Sequence, residues 1–99
     1  MLDSKLVGHI IKQFREKKGL SQEVVSGLAD IGRTHLSAIE RGERKPTLET
    51  FFKISDALNI KASVLIQQIE EKINENNWNK IEQLIFRHKH KKERKMRSF

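Results

Sequence analysis

Apolar residues recur at three- and four-residue intervals along most of this 99-residue chain, and this spacing constrains its fold more than any other feature. Residues three or four apart share one face of an α-helix, whereas a half-buried strand needs strict alternation. No run of four or more residues favours a strand. A chain of this length holds one domain with a modest core. The pattern therefore predicts a single all-α domain.

Glycine and proline divide this pattern into short helices. Gly19 and Gly42 are placed to end the first and third helices, and Pro46 prevents helix until about residue 47. We predict helices over residues 4–18, 21–29, 33–41, 47–58 and 62–73. The fourth should bury an apolar stripe that begins at Leu48. The asparagine-rich segment 74–77 weakens the pattern, and a separate sixth helix is predicted from Trp78 onward.

The net charge of +7 is distributed unevenly along the chain. Residues 1–45 carry nine Lys and Arg against six Asp and Glu, residues 46–86 carry four against six, and residues 87–99 carry seven against one, which gives +3, −2 and +6. The basic tail, residues 87–99, has three interpretations. It follows nucleic-acid phosphates, it contacts RNA or another acidic partner, or it is a solvated terminus.

Several functional classes fit the composition poorly. Without cysteine, the chain has no disulfide, thiolate metal site or thiol nucleophile, and a cytoplasmic setting suits it. No apolar stretch is long enough to span a membrane. The four histidines have no carboxylate at a metal-ligand spacing, and no phosphate-binding glycine loop or nucleophile motif is present. We therefore expect no enzyme activity, no cofactor, no metal and no membrane association.

Four sequence blocks stand at consistent spacing. They are Gly19-Leu-Ser-Gln22-Glu, Ile31-Gly-Arg33-Thr34-His-Leu36-Ser, Ile39-Glu40-Arg41-Gly42-Glu-Arg44-Lys-Pro46-Thr-Leu48 and Ile54-Ser-Asp-Ala57-Leu58. Together they resemble the Cro/lambda-repressor-like (XRE) helix-turn-helix family. The resemblance implies an all-α, five-helix repressor-like DNA-binding domain over residues 4–66, followed by a helical extension over residues 67–86 and the basic tail.

The resemblance also implies which side chains meet DNA. The second helix of the pair enters the major groove, and its first residues reach base edges. The implied base contacts are Arg33, Thr34, Ser37 and Ala38. Arg33 suits a bidentate contact with guanine, with a phosphate contact as the alternative.

Phosphate contacts are implied for a second group of side chains. These residues are Ser21, Gln22, His35, Arg44 and Lys45. Four of these residues also have a simpler interpretation. Gln22 is then only a favourable residue for the first turn of a helix, and His35 is only a surface residue. Arg44 and Lys45 are then only part of a solvated turn.

A structural ion pair between Arg15 and Glu40 is implied as well, and Arg41 stays open between a structural and a DNA-binding role. The sequence departs from the family pattern at three positions. Asp30 stands where the turn normally has glycine, Gly32 replaces a serine or threonine cap, and Gly27 lies inside the second helix.

The end of the chain carries more apolar residues than a five-helix core of this size can bury. We predict that they form a homodimer interface, with folding back onto the same domain as the alternative. The residues concerned are Leu65, Ile69, Ile73, Trp78, Ile81 and Ile85.

The sequence thus predicts a transcriptional regulator that binds double-stranded DNA, most simply a dimeric repressor on a palindromic operator. Phage repressors, restriction-modification controllers and antitoxin regulators all fit this description. The alternative is a helix-turn-helix scaffold that binds a protein partner through its C-terminal helix.

Overall fold

The computed structural model describes the backbone of residues 2–92 and the side chains of residues 2–75 and 81–87. This part of the chain is helical, without strands, which confirms the predicted fold class. Its five helices are α1 (Ser4–Lys17), α2 (Gln22–Ala29), α3 (Arg33–Glu40), α4 (Leu48–Ala57) and α5 (Ala62–Lys92). None of them combines the length and apolarity that a bilayer-spanning helix needs.

Short-range side-chain chemistry sets the ends of the helices. The side chains of Asp3, Ser21 and Thr47 each accept a hydrogen bond from a backbone N–H in the first turn of the helix that follows. The chain turns through left-handed backbone conformations after α1, α2, α3 and α4. The residues that adopt them are Gly19, Asp30, Gly42 and Asn59, with φ angles of 70°, 57°, 77° and 57°.

The apolar faces of all five helices meet in one core. Its fully buried side chains include Ile11, Val25, Leu36, Ile54 and Leu65, one from each helix. Since α3 contributes Leu36 and Ile39 to this core, its opposite face is left at the surface.

Gly8 lets α1 approach the end of α3 very closely. A Cβ atom added at Gly8 would lie 2.7 Å from the carbonyl oxygen of Glu40 and still closer to that of Ile39. One turn earlier, the Ser4 hydroxyl donates a 3.1 Å hydrogen bond to the carbonyl oxygen of Gly42. These contacts fix α3 against α1 through its C-terminal carbonyls.

The predicted sixth helix is wrong as a separate element. Residues 74–77 continue α5 without interruption to Lys92. Asparagine is only a moderately poor helix former, at a cost of roughly 0.7 kcal/mol per residue. Because residues 62–92 contain neither glycine nor proline, nothing in the backbone ends the helix there.

Leu48 does not belong to the buried stripe of α4, as its spacing had predicted, and is 70% exposed. It is the first residue of α4, where no helix lies over it. The stripe begins instead at Phe51, which is buried.

Part of the predicted dimer interface lies in the core of the single chain. Leu65 and Ile69 are buried there, and Ile73 is partly buried against the same cluster. Leu65 is fully buried within the single chain, so its prediction as an interface residue is wrong. The first three turns of α5 complete the domain instead. Ile81 and Ile85 are exposed, whereas the side chain of Trp78 lies outside the described residues.

Candidate nucleic-acid interface

Helix α3 presents one face to the core and the other to solvent. Leu36, Ile39 and Glu40 are buried, whereas Arg33 and Thr34 are exposed and Ser37 and Ala38 are partly exposed. Positions 33, 34, 37 and 38 share one helix face because they are one and four residues apart. The structure therefore brings together the four predicted base-contact residues on the free face of α3.

A tight turn sets α3 against α2. Asp30 adopts the left-handed conformation, and the N–H of Ile31 donates a 3.0 Å hydrogen bond to the carbonyl oxygen of Ser26. Gly32 then begins α3 without a side-chain cap. The first N–H groups of α3 therefore remain available, and they carry the positive end of the helix dipole.

The carboxylate of Glu40 ties α3 to both preceding helices. Arg15 donates to its two oxygens from Nε and Nη2, at 2.7 Å and 3.0 Å, and Gln22 donates from Nε2 at 2.9 Å. The Arg15 and Glu40 side chains are only 10% and 2% exposed. The hydrogen bond to Glu40 raises the pKa of Arg15. This geometry confirms the predicted ion pair and holds α3 rigidly in place.

A second network covers the C-terminal end of α3. The Arg41 guanidinium donates two 2.9 Å hydrogen bonds to the Glu43 carboxylate and one to the Ser37 hydroxyl. The hydrogen bond from Arg41 lowers the pKa of Glu43. The Ser37 hydroxyl is thus already engaged in the protein alone. Sequence spacing did not reveal this pair because the turn at Gly42 brings together residues only two apart.

The predicted phosphate-contact residues lie at the start of α2, in the first turn of α3 and in the loop after α3. Ser21 and Arg44 are exposed, and His35 is partly exposed. The Ser21 hydroxyl caps α2 by accepting from the N–H of Val24 at 3.1 Å. Lys45 is exposed at the rim of an apolar groove formed with α1, α4 and α5.

This geometry agrees with the comparisons with known proteins. A helix-turn-helix family model (HTH_3) matches residues 11–65, which include α2, the turn and α3. The chain belongs to this helix-turn-helix family. It is accordingly a DNA-binding regulator of transcription.

Individual relatives include a bacterial control protein and a phage protein. The control protein C.MunI of a Mycoplasma species is 42% identical over 65 residues, which span 65% of this chain and 88% of the relative. The ImmF control region 10 kDa protein of Bacillus phage phi105 is 37% identical over 75 residues, 72% of this chain and 83% of the relative.

A solved structure extends the comparison to a protein–DNA complex. The restriction-modification controller protein C.Esp1396I, solved as a tetramer with its natural 35 base-pair operator, is 27% identical with a TM-score of 0.68. The match covers 74% of this chain and 96% of that protein. About a quarter of this chain therefore has no counterpart there.

Proposed function

We propose that the protein is a homodimeric repressor that binds a palindromic operator by placing α3 in the major groove of each half-site. The observation that supports it best is the division of α3 into two faces. Leu36, Ile39 and Glu40 fix one face in the domain, while Arg33, Thr34 and Ser37 stand on the other. A helix held in this way presents its polar face to DNA without rearrangement.

Arg33 is the residue expected to select bases. It lies in the first turn of α3, is exposed and has no ion-pair partner among the described residues. A guanidinium at this position can donate two hydrogen bonds to O6 and N7 of guanine. Thr34 and Ala38 are close enough on the same face to add a polar contact and an apolar contact with a thymine methyl group.

Gln22 and Ser21 are expected to contact phosphate on one side of the groove, and Arg44 on the other. The Gln22 amide uses one N–H for Glu40, which leaves its second N–H for a phosphate oxygen. One side chain would then connect the DNA backbone to the carboxylate that anchors α3. His35 and Lys45 would add phosphate contacts that carry no base preference.

Two copies are needed because one helix-turn-helix reads only a short half-site and buries little surface. C.Esp1396I was solved with its operator as a tetramer, which supports multiple copies on one DNA. We expect a homodimer that depends on the end of α5. In sedimentation velocity, a chain ending at residue 77 should run as a monomer, and a truncated chain that stays dimeric at micromolar concentration contradicts this.

Selection from a random duplex library tests the function and identifies the operator in one experiment. The full-length protein should enrich a palindromic sequence, and Arg33→Ala should lower affinity for it by about 10- to 100-fold and flatten the preference at one position of each half-site. Lys12→Ala is the matched control, because it removes one exposed positive charge from α1. That variant should keep the preference.

The outcomes separate the alternatives. If no sequence is enriched, sequence-specific regulation is wrong and a protein-binding scaffold becomes the better explanation. If Arg33→Ala keeps the full base preference and only weakens binding, Arg33 contacts phosphate alone. A reporter gene placed behind the enriched sequence then gives the sign of regulation, and repression is the expected result.

A further inference from the structure

The C-terminal end of α3 carries a network of three side chains, two of which have no part in the proposed DNA contacts. Glu43 holds the Arg41 guanidinium, and Arg41 in turn donates to the Ser37 hydroxyl. The backbone brings the three groups together. Gly42 turns the chain in the left-handed conformation, and the N–H of Glu43 then donates a 2.9 Å hydrogen bond to the carbonyl oxygen of Ala38. Glu43 is thereby fixed beside the last turn of α3.

The direction of each hydrogen bond in this network is unambiguous, because a guanidinium has N–H donors and no acceptor. Nε and Nη2 of Arg41 each lie 2.9 Å from one of the two Glu43 carboxylate oxygens, which is a bidentate arrangement. Nη1 donates to Ser37. The Ser37 oxygen is therefore the acceptor in this bond, and its own hydrogen is left for another partner.

The Ser37 hydroxyl differs in this respect from two other serines that lie inside helices. Ser26 and Ser55 each donate to a carbonyl oxygen three residues earlier in their own helix, at 3.2 Å and 2.9 Å. Within the part of the chain that the structure describes, no acceptor takes the Ser37 hydrogen. Ser37 is partly exposed on the same face of α3 as Arg33 and Thr34. Its hydrogen is therefore available to a group outside the protein.

We propose that Arg41 is a positioning residue that makes Ser37 a hydrogen-bond donor toward the base edges. The inference rests on the proposed function, in which Ser37 faces the major groove, and it specifies what Ser37 reads there. A cation bonded to the hydroxyl oxygen occupies one lone pair and polarises the group, which strengthens the O–H as a donor and weakens the oxygen as an acceptor. Glu43 holds this cation in place and balances its charge.

A donor in the major groove distinguishes among the bases. Guanine offers N7 and O6, adenine N7 and thymine O4 as acceptors, whereas cytosine offers only the N4 amino group, which is itself a donor. Ser37 should therefore bond with guanine, adenine or thymine and disfavour cytosine as the base it contacts. A serine without an orienting group accepts either polarity, since a hydroxyl both donates and accepts. Arg41 thus gives Ser37 a base preference that serine lacks by itself.

A direct contact between Arg41 and DNA phosphate is the competing explanation, and the charge of the network separates the two. Arg41 and Glu43 form an ion pair without net charge, so the loss of both leaves the charge of the protein unchanged. Removal of a phosphate contact lowers the slope of log affinity against log salt concentration by about one, because fewer counterions are released. Removal of a residue that only positions Ser37 does not change this slope.

The test uses the operator obtained by selection and a series of duplexes in which each base pair of both half-sites is replaced by the three alternatives. Ser37→Ala identifies the base pair that Ser37 reads, because the preference at that pair is lost. The unmodified full-length protein should discriminate there by about 5- to 10-fold. Arg41→Met/Glu43→Gln, the network variant, should remove most of this discrimination and keep the salt slope. Fluorescence anisotropy over a range of salt concentrations measures both quantities.

Lys72→Met/Glu75→Gln is the matched control. This pair on α5 is joined at 3.3 Å, and its side chains are 56% and 61% exposed, close to the 53% and 60% of Arg41 and Glu43. The control also removes one charge of each sign, and it should leave every base preference unchanged. A double-mutant cycle is a stricter control. In a Ser37→Ala background, the network substitutions should have no further effect at that base pair, because the group they orient is gone.

Three results would overturn this inference while the proposed function stands. They are a base preference that survives Ser37→Ala at every position, a network variant that keeps the full preference, and a network variant whose salt slope falls by about one per half-site. A crystal structure of the complex tests the polarity, since N7, O6 or O4 opposite the Ser37 oxygen fits a donor and N4 of cytosine contradicts it. A protein that enriches no sequence would overturn the proposed function and this inference together.

Discussion

Replacement of Gly8 by alanine tests whether the close contact between α1 and α3 fixes the position of α3. The new Cβ would lie 2.7 Å from the Glu40 oxygen and closer still to the Ile39 oxygen, whereas ordinary contact begins at 3.4 Å, so the two helices would have to separate by more than 0.7 Å. The obstacle is backbone rather than the end of a flexible side chain. It cannot be relieved by a change of rotamer.

Two opposing terms set the size of the effect. Alanine in place of glycine in a helix interior gains about 1 kcal/mol, and overpacking of a rigid contact costs about 3 kcal/mol at the upper end of the usual range. Gly8→Ala should therefore lower the free energy of unfolding by about 2 kcal/mol. Gly27→Ala is the matched control, because a Cβ at Gly27 meets nothing within 4 Å. That variant should be stabilised by about 1 kcal/mol.

Urea denaturation followed by circular dichroism at 222 nm measures both changes. The protein concentration is kept the same throughout, because formation of the proposed dimer would shift the transition. The two variants should differ by about 3 kcal/mol. If Gly8→Ala unfolds at the same urea concentration as the unmodified protein or at a higher one, the close contact does not hold α3, and the structural argument fails.

Three further substitutions probe the turn and the two charge networks. Arg15→Met should lower the free energy of unfolding in urea by about 3–5 kcal/mol, because it leaves the Glu40 carboxylate buried without its cation, and Arg15→Met/Glu40→Leu should recover most of this loss. Asp30→Gly should raise the thermal midpoint, since glycine relieves the left-handed conformation at a gain of up to about 1 kcal/mol. Arg41 lowers the pKa of Glu43. Their interaction therefore stabilises the fold fully at pH values above the ordinary glutamate pKa, and this stabilisation is lost as the pH falls through the lowered pKa of Glu43. Arg41→Ala should return that pKa toward its ordinary value, which an NMR titration of the Glu43 side chain measures; an unchanged pKa would contradict the pairing.

The boundaries of the first four helices could be predicted because they depend on neighbouring residues. Ser21 caps α2 through a hydroxyl three residues from its donor, and Gly19 and Gly42 supply the positive φ angles that end α1 and α3. Such signals are local and do not depend on the tertiary structure. The apolar spacing likewise identified most of the core.

Features that depend on which helices meet could not be predicted from spacing. Leu48 fits the apolar stripe of α4, yet no helix covers it, and Leu65 and Ile69 fit a dimer seam, yet α1 and α4 bury them within the chain. The ion pair of Arg15 and Glu40 joins residues 25 apart, so the resemblance to a family identified it and periodicity did not. The assignment of Arg33, Thr34, Ser37 and Ala38 to bases stays a prediction.

The buried carboxylate of Glu40 has a consequence for how the domain opens. It is shared by α1 through Arg15 and by α2 through Gln22, so α3 cannot detach alone without leaving a charge unpaired in the interior. The three helices should therefore open as one cooperative unit, and the amide protons of α3 should exchange with solvent only in global unfolding. A helix that does not fray before it meets DNA loses little backbone entropy on binding. Adaptation to different base sequences then falls to the rotamers of its side chains.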